Sequence, residues 1–189
     1  MNGAISLLKS KIGQLCGVAY RLRDKFNQQA ARNFYYGCVY SLLSYCIAVW
    51  GGVTQCTRRC EALDRLHTRT VNNLFSKFCE PGECILENMK ILKLPDIYRL
   101  RVATYMYKVL KNNMYPSLQS SLDLSYPDHG YPTRSSSLLV TPFPRVEAVR
   151  MNYGYQFKKV WNTIPEWIKS LQKLTHFKRA LQSQFLEGY

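Results

Sequence analysis

The sequence has few acidic residues and lacks the patterns that carboxylate catalysis needs. Only 12 Asp and Glu stand against 26 Lys and Arg in 189 residues. The aspartates are scattered, with no Asp-Asp pair, and no Gly-rich phosphate loop is present. Because two-metal polymerase or nuclease chemistry needs carboxylates that converge on one site, the sequence argues against such a centre in this chain.

A secretory signal and a sufficiently long apolar run are also missing. The longest uncharged stretch covers residues 33–57, but its strongly apolar part is shorter than the ~20 residues that span a bilayer. We interpret it as a buried core helix in preference to a transmembrane helix. The seven cysteines form an odd set in largely apolar or helical stretches. Reduced thiols, and hence the cytoplasm and/or the nucleus, are therefore predicted.

What the sequence does have is basic charge on a core-forming chain. The net charge is +14, and the composition is 47% apolar and 13% aromatic. This composition excludes a disordered tail. A basic excess of this size favours polyanionic partners, nucleic acid before anionic membrane. The alternative is an ordinary solvated basic surface.

Helical periodicity dominates the first part of the chain. One apolar stripe predicts a first helix, formed by Ile5, Leu8, Ile12, Leu15, Ala19, Leu22 and Phe26. A second, central helix is predicted over 28–49, ended by Gly51-Gly52, and a third over 54–78. A short helical turn follows in the segment ILENMKIL. A fourth helix is predicted to start at Leu94-Pro95-Asp96, because proline suits a first helical turn.

The texture changes after residue 111. Residues 112–150 are rich in Ser, Pro and Tyr and predict an irregular arm. Helices are predicted over 151–161, over 166–171 and after Thr175, which we expect to be the N-cap of the last one. Four basic side chains near the end are expected to face outward: Lys169, Lys173, Lys178 and Arg179. The predicted fold is all-α or nearly so, with a helical bundle over 1–111, the arm over 112–150 and a small helical unit over 151–189.

One metal site deserves consideration. Cys56, Cys60 and His67 share a face of the predicted third helix, and Cys79 or Cys84 could add ligands. However, Cys60 continues the apolar stripe and the tight knuckle of structural zinc sites is missing. We therefore favour no metal and no cofactor, and nothing in the sequence pairs a cysteine with a histidine as a nucleophile.

Several motifs, read in chain order, carry a resemblance. Tyr40, Ser41, Leu42, Tyr45, Trp50 and Gly51 match a "Y-x-S-L-x-x-Y-x-x-x-x-W-G" pattern. A helix of the form "L-Q-x-R-A-x-R" is present with His67 for Gln, Thr70 for Ala, and Arg69 in place. Tyr131-Pro132-Thr133-Arg134 corresponds to "Y-N-T-R", and Trp161 to Pro165 to "W-N-x-L-P". This succession resembles the C-terminal, thumb and post-thumb, region of reverse transcriptases from jockey-like non-LTR retrotransposons.

The resemblance implies a fragment that lacks the chemistry of its parent. In that family the palm, with its metal-binding Asp-Asp and Mg²⁺, precedes this region. We therefore expect a truncated or host-retained piece of an RNA-directed DNA polymerase that cannot polymerise alone. It would grip RNA, DNA or an RNA–DNA hybrid non-specifically through the backbone.

The expected interface combines basic side chains with one aromatic. The predicted backbone contacts are Arg21, Arg23, Lys25, Arg65, Arg69, Arg134, Lys158 and Lys159, with Tyr131 as a stacking group. The missing palm and self-association are further possible partners, and no membrane is expected. The alternatives are a protein-interaction module with no nucleic-acid role and, less favoured, an active enzyme.

Overall fold

The computed structural model describes residues 2–45, 47–54, 58–80, 82–111, 122, 124–126, 138–141, 145 and 152–189. These residues are mostly helical and contain no strand, which confirms the all-α prediction. The chain forms two compact units. Unit 1 comprises Met1–Tyr98 with Gln182–Tyr189, and unit 2 comprises Arg99–Leu181.

Unit 1 is built from short and long helices in chain order. They are α1 (Asn2–Leu22), α2 (Gln28–Phe34), α3 (Ser41–Ser44), α4 (Ile47–Thr54), α5 (Arg58–Phe75) and α6 (Ile85–Asn88), followed by the start of α7 (Leu94–Lys111). A π-helical segment, Tyr35–Tyr40, joins α2 to α3, and a 3₁₀ turn, Ser76–Phe78, extends α5. Within the described helices, none is both long enough and apolar enough to cross a membrane.

The apolar stripe of α1 packs along α5, as its periodicity predicts. Ile5, Ile12 and Ala19 are buried on one side of α1. At the interface the Asn73 amide lies 3.4 Å from the backbone oxygen of Cys16. The first predicted helix is confirmed as far as Leu22, whereas Phe26, the last residue of the predicted stripe, lies beyond its end. The basic residues of α1 lie on its solvent side.

The predicted helix over 28–49 is interrupted. Tyr45 adopts an extended conformation (ψ 118°) that ends α3. Its carbonyl oxygen accepts a hydrogen bond of 2.9 Å from the Trp50 indole. The Trp50 side chain thus occupies a carbonyl oxygen that would accept a backbone hydrogen bond in a continuous helix. The single long helix expected from composition is therefore two helices around a break.

The two glycines expected to end that helix lie inside α4. A Cβ on Gly51 would sit 2.5 Å from Cδ2 of Tyr98, at the start of α7. Gly51 is therefore needed for close packing and does not act as a helix stop. The prediction that Gly51-Gly52 terminates the helix was wrong for this reason.

Unit 2 comprises residues 99–111 of α7, α8 (Tyr153–Asn162), α9 (Glu166–Lys169) and the first part of α10 (Leu174–Leu186). An aromatic stack forms its core. The ring centroids of Tyr107 and Phe177 are 4.6 Å apart, and those of Phe177 and Trp161 are 6.1 Å apart. The Tyr107 hydroxyl donates to the Gln172 carbonyl at 2.6 Å, which fixes α7 to the turn before α10.

Asn162 attaches part of the arm to α8. Its side-chain oxygen accepts from the Leu139 amide and its side-chain nitrogen donates to the Leu139 carbonyl, both at 2.9 Å. The next amide, Val140, donates to the Ser125 carbonyl at 3.0 Å. One side chain of the Trp-Asn-Thr-Ile-Pro turn therefore attaches Leu139 to α8, and the Val140 bond joins a second described stretch of the arm to the first.

Two boundaries differ from the prediction. Because the Phe177 amide already bonds the Lys173 carbonyl, α10 begins at Leu174 and Thr175 lies within the helix, not at its N-cap. The compact units divide at Tyr98 and Leu181, inside α7 and α10, whereas the sequence suggested divisions at residues 111 and 150. Most of the predicted arm lies outside the described residues.

Candidate nucleic-acid interface

The basic residues predicted on unit 1 are exposed, but two of them already have acidic neighbours. Arg65 lies 3.2 Å from the Glu61 carboxylate, one helical turn away on α5. Arg23 lies 3.5 Å from Asp24, with its guanidinium 4.6 Å from the Tyr20 ring centroid. The remaining predicted residues on this unit are exposed: Arg21, Lys25 and Arg69. These side chains fit an ordinary solvated helix surface as well as a binding face.

The two adjacent lysines of α8 that were predicted to bind differ in exposure. Lys159 is exposed on α8, but Lys158 is only 5% exposed, so the fold buries one of this adjacent pair. Tyr131 and Arg134 lie outside the described residues. Of the basic and aromatic residues predicted in this part of the chain, Lys159 alone is described as an exposed surface group.

Lys169 was expected to face outward, and this was wrong. It is 7% exposed, with its ammonium 2.9 Å from the Glu166 carboxylate and 5.8 Å from the Trp161 ring centroid. The long lysine side chain packs over the aromatic core while a nearby carboxylate compensates its charge. Lys169 therefore contributes to the packing of unit 2.

Basic residues of α7 and α10 interact electrostatically in unit 2. On α7, Arg101, Tyr105 and Lys108 follow an i, i+4, i+7 spacing, which places them on one side of the helix. Tyr105 is 39% exposed between the two cations. Lys178 approaches the same side from α10, next to Phe177, which packs on Tyr107. We call these four residues the basic strip.

The electrostatics of Lys178 show that the strip concentrates like charge. The pKa of its ammonium is lowered, first by partial burial and then by repulsion from Lys108 and Arg101. A lowered lysine pKa means that the charged form is disfavoured where it sits. Partial burial and the charges of Lys108 and Arg101 together disfavour the charged form of Lys178.

The charge balance of unit 2 reinforces this field. Residues 99–181 contain thirteen Lys and Arg against four Asp and Glu, a net of +9 out of the chain's +14. Of those four acids, Glu166 alone falls among the described residues, and it is paired with Lys169. Polyanions would thus meet the stronger attraction at unit 2.

No site for a metal emerges from the described side chains. Among them, no group of three or more His, Cys, Asp or Glu is placed to hold an ion. Cys56 and the side chain of Cys60 are outside the described part, while Cys79 is half-buried and Cys84 exposed. His67 is buried, and its Nε2 lies 2.9 Å from the Tyr35 hydroxyl. The third proposed zinc ligand thus has a structural partner.

The His67 contact is a neutral core interaction. Burial lowers the pKa of the His67 imidazole to about 4 and raises the pKa of Tyr35 well above its ordinary value. Both groups are therefore uncharged near neutral pH. The Nδ1 atom of His67 is buried without a hydrogen-bond partner, which adds an unfavourable contribution to the free energy of this core.

Lys178 was expected to face outward, but neither Lys178 nor Lys108 was selected as a binding residue. Their signal is weak in sequence because they lie 70 positions apart and meet only when α10 packs on α7. Tyr105 was not selected either. Its spacing from Arg101 and Lys108 is readable in the sequence, and it could have been found by looking for an aromatic between two cations on a helix.

Searches with the whole chain found no matching family model, no matching curated protein and no matching solved structure. The resemblance to retrotransposon reverse transcriptases therefore stays a prediction from the sequence motifs.

Proposed function

We propose that this chain binds the phosphate backbone of nucleic acid through the basic strip of unit 2. In this proposal the chain is a thumb and post-thumb fragment of a non-LTR retrotransposon reverse transcriptase, without the catalytic palm. The observation that carries the binding proposal is the position of Lys178, whose pKa is lowered first by partial burial and then by the positive charges of Lys108 and Arg101. The motif succession alone supports the family origin.

Backbone binding would relieve the repulsion within the strip. A phosphate placed among the three cations favours their charged forms, so the free energy stored in repulsion becomes part of the binding free energy. The guanidinium of Arg101 can offer paired donors, and the two lysines act as point charges. Tyr105 offers a ring face between them for a sugar or a base.

The proposed role of this chain is to bind nucleic acid and not to catalyse its synthesis. A fragment of this kind would hold a template–primer duplex while the Asp-Asp of a separate palm held Mg²⁺ and performed the chemistry. We expect no primer extension by this chain with Mg²⁺ and deoxynucleotides. Extended product from the purified chain would contradict the proposal.

Lysine footprinting tests where nucleic acid binds. The chain is acetylated with and without an RNA–DNA hybrid duplex at 50 mM salt, and each lysine is quantified by mass spectrometry. We expect protection of Lys108 and Lys178, while the exposed lysines Lys9 and Lys11 on α1 keep their full reactivity. Because all four are measured in one sample, the unit 1 lysines serve as an internal control.

Three results would count against the proposal. The absence of protection at every lysine would show that the hybrid does not bind. Equal protection of Lys9, Lys11, Lys108 and Lys178 would show diffuse association without a defined interface. Protection confined to unit 1 would show that the interface is formed by the residues first predicted on α1 and α5.

A protein-interaction module is the second candidate, and one apolar surface favours it. Tyr45 and Val49, four residues apart around the break before α4, are 72% and 67% exposed. Large exposed apolar side chains are a feature of docking surfaces. Light scattering on wild type and on a Tyr45→Ser, Val49→Ser variant tests it: self-association that the variant loses supports docking, and a monomer in both cases argues against it.

A further inference from the structure

Unit 2 contains an open groove that was not predicted from the sequence. Its volume is about 420 Å³, within the range of roughly 300–1,000 Å³ typical of small-molecule sites. It is lined by Lys111, Tyr126, Trp161, Glu166 and Lys169, together with Leu110 and Ser170. Apolar and aromatic side chains therefore share the groove with two cations and one carboxylate.

The groove lies next to the basic strip. Lys111 follows Lys108 by three residues on α7, so the last turn of this helix connects the two. The Lys111 ammonium donates to the Leu171 carbonyl at 3.1 Å, at the turn before α10. A chain of phosphates lying along the strip would therefore reach the edge of the groove.

The walls of the groove are aromatic and held in place. Trp161 is buried and stacked on Phe177, so it forms a rigid floor. Tyr126 is 48% exposed, and the Val140 to Ser125 hydrogen bond fixes its neighbour in the arm. The pKa of Tyr126 is raised, first by partial burial and then by the negative charge of Glu166, so the phenol stays neutral. One wall thus offers an uncharged ring to a ligand.

The polar groups of the groove have compatible positions. Lys169 is 93% buried, and its bond to Glu166 leaves the half-exposed carboxylate able to accept a further hydrogen bond. Lys111 supplies an exposed cation at the rim. The groove therefore suits a flat ring with a polar edge, attached to an anionic group outside it.

We infer that this groove takes one unpaired nucleobase of a single strand whose phosphates lie along the basic strip. The inference rests on the proposed nucleic-acid binding and adds a site to it. The base stacks against the Tyr126 ring over Trp161, its polar edge faces Glu166, and its phosphate meets Lys111. Every base has a π-face, so stacking of this kind is sequence-tolerant.

The test compares two strands of equal charge. One probe is a ten-nucleotide single-stranded DNA, and the other is a ten-unit abasic phosphodiester of the same length, both labelled for fluorescence anisotropy. The wild-type chain is expected to bind the base-bearing strand about 5- to 100-fold more tightly. Tyr126→Ala should remove this difference without changing the slope of affinity against salt concentration, because no phosphate contact is lost.

Control variants separate stacking from folding. Tyr126→Phe keeps the ring and should keep the preference for bases. Tyr153→Ala removes another exposed tyrosine of unit 2 outside the groove and should leave the preference unchanged. Circular dichroism and the melting temperature of each variant establish that unit 2 stays folded.

The two proposals fail in different ways. Equal affinity of the wild type for both strands, with both weakened by Lys108→Gln and Lys178→Gln, would overturn the base site and leave backbone binding in place. A preference for bases that survives in Tyr126→Ala would also overturn the site. No binding of either strand at 50 mM salt would overturn the base site, and no binding of the RNA–DNA hybrid at the same salt would overturn both proposals.

Discussion

At the scale of single residues, His67 shows how a core position of unit 1 couples stability to pH. Its folded pKa of about 4 lies below the ordinary 6.5. Between these pH values the unfolded chain binds more protons, so the free energy of unfolding rises with pH. The stabilisation is present above pH 6.5 and is lost as the pH falls to about 4.

Replacing His67 by glutamine should remove this dependence. Glutamine keeps a polar group that can bond the Tyr35 hydroxyl but does not titrate. We expect the wild type to lose roughly 2–3 kcal/mol relative to His67→Gln between pH 7 and pH 4. Urea unfolding at several pH values measures the difference. A constant difference across this range would contradict a buried, neutral histidine.

Gly51 gives a second residue-scale prediction. An alanine there brings its Cβ to 2.5 Å from the ring of Tyr98, which is itself 2% exposed. Gly51→Ala should lower the free energy of unfolding by about 1–3 kcal/mol through overpacking. Gly13→Ala is the matched control, because nothing lies within 4 Å of its Cβ in α1. That variant should be stabilised by about 0.5–1 kcal/mol.

At the scale of elements, the packing of α10 on α7 gives Lys178 a position that favours nucleic-acid binding but lowers the free energy of unfolding. Lys178 sits among like charges, so Lys178→Met should raise the free energy of unfolding by roughly a few tenths of a kcal/mol at low salt. The same change should weaken nucleic-acid binding. Thermal unfolding and anisotropy on one preparation measure both. Lys178→Arg keeps the charge and should show neither effect. In Lys178→Met, a lower free energy of unfolding together with unchanged affinity for nucleic acid would contradict the proposed role of Lys178.

The attachment of the arm to α8 is the second prediction at this scale. Asn162 makes two hydrogen bonds of 2.9 Å to the backbone of Leu139. Asn162→Ala leaves both backbone groups without that partner, at a cost of about 1–3 kcal/mol for each buried group. We expect faster amide hydrogen exchange at Leu139 and Val140. Thr163→Val, which changes the neighbouring residue of the same turn, should leave these amides protected.

Sequence reasoning predicted helices well where periodicity and proline decided them. The helix of α1 as far as Leu22 and the start of α7 at Leu94 were predicted correctly. It failed where one side chain overrides local preference. The Trp50 indole bonds the Tyr45 carbonyl at a break in a helix that composition favours, and Tyr98 gives Gly51 a packing role. Neither contact leaves a signal in local sequence.

At the scale of the whole molecule, the local sequence also did not reveal where the candidate nucleic-acid interface lies. The net charge and the aromatic content pointed to nucleic acid, but not to the surface involved. The strip depends on two helices that meet across 70 residues of chain, and the groove depends on an arm held by Asn162. Such sites require the packed structure, because each cation by itself looks like a solvated side chain.

The salt dependence of affinity for an RNA–DNA hybrid tests the central claim most directly. If the chain contacts six to ten phosphates, affinity should fall about 10³–10⁵-fold between 50 and 200 mM salt. Lys108→Gln with Lys178→Gln should reduce the slope by roughly two phosphate contacts, whereas Lys9→Gln with Lys11→Gln should leave it unchanged. Undetectable binding at 50 mM salt, or equal slopes for the two double variants, would contradict backbone binding by the basic strip.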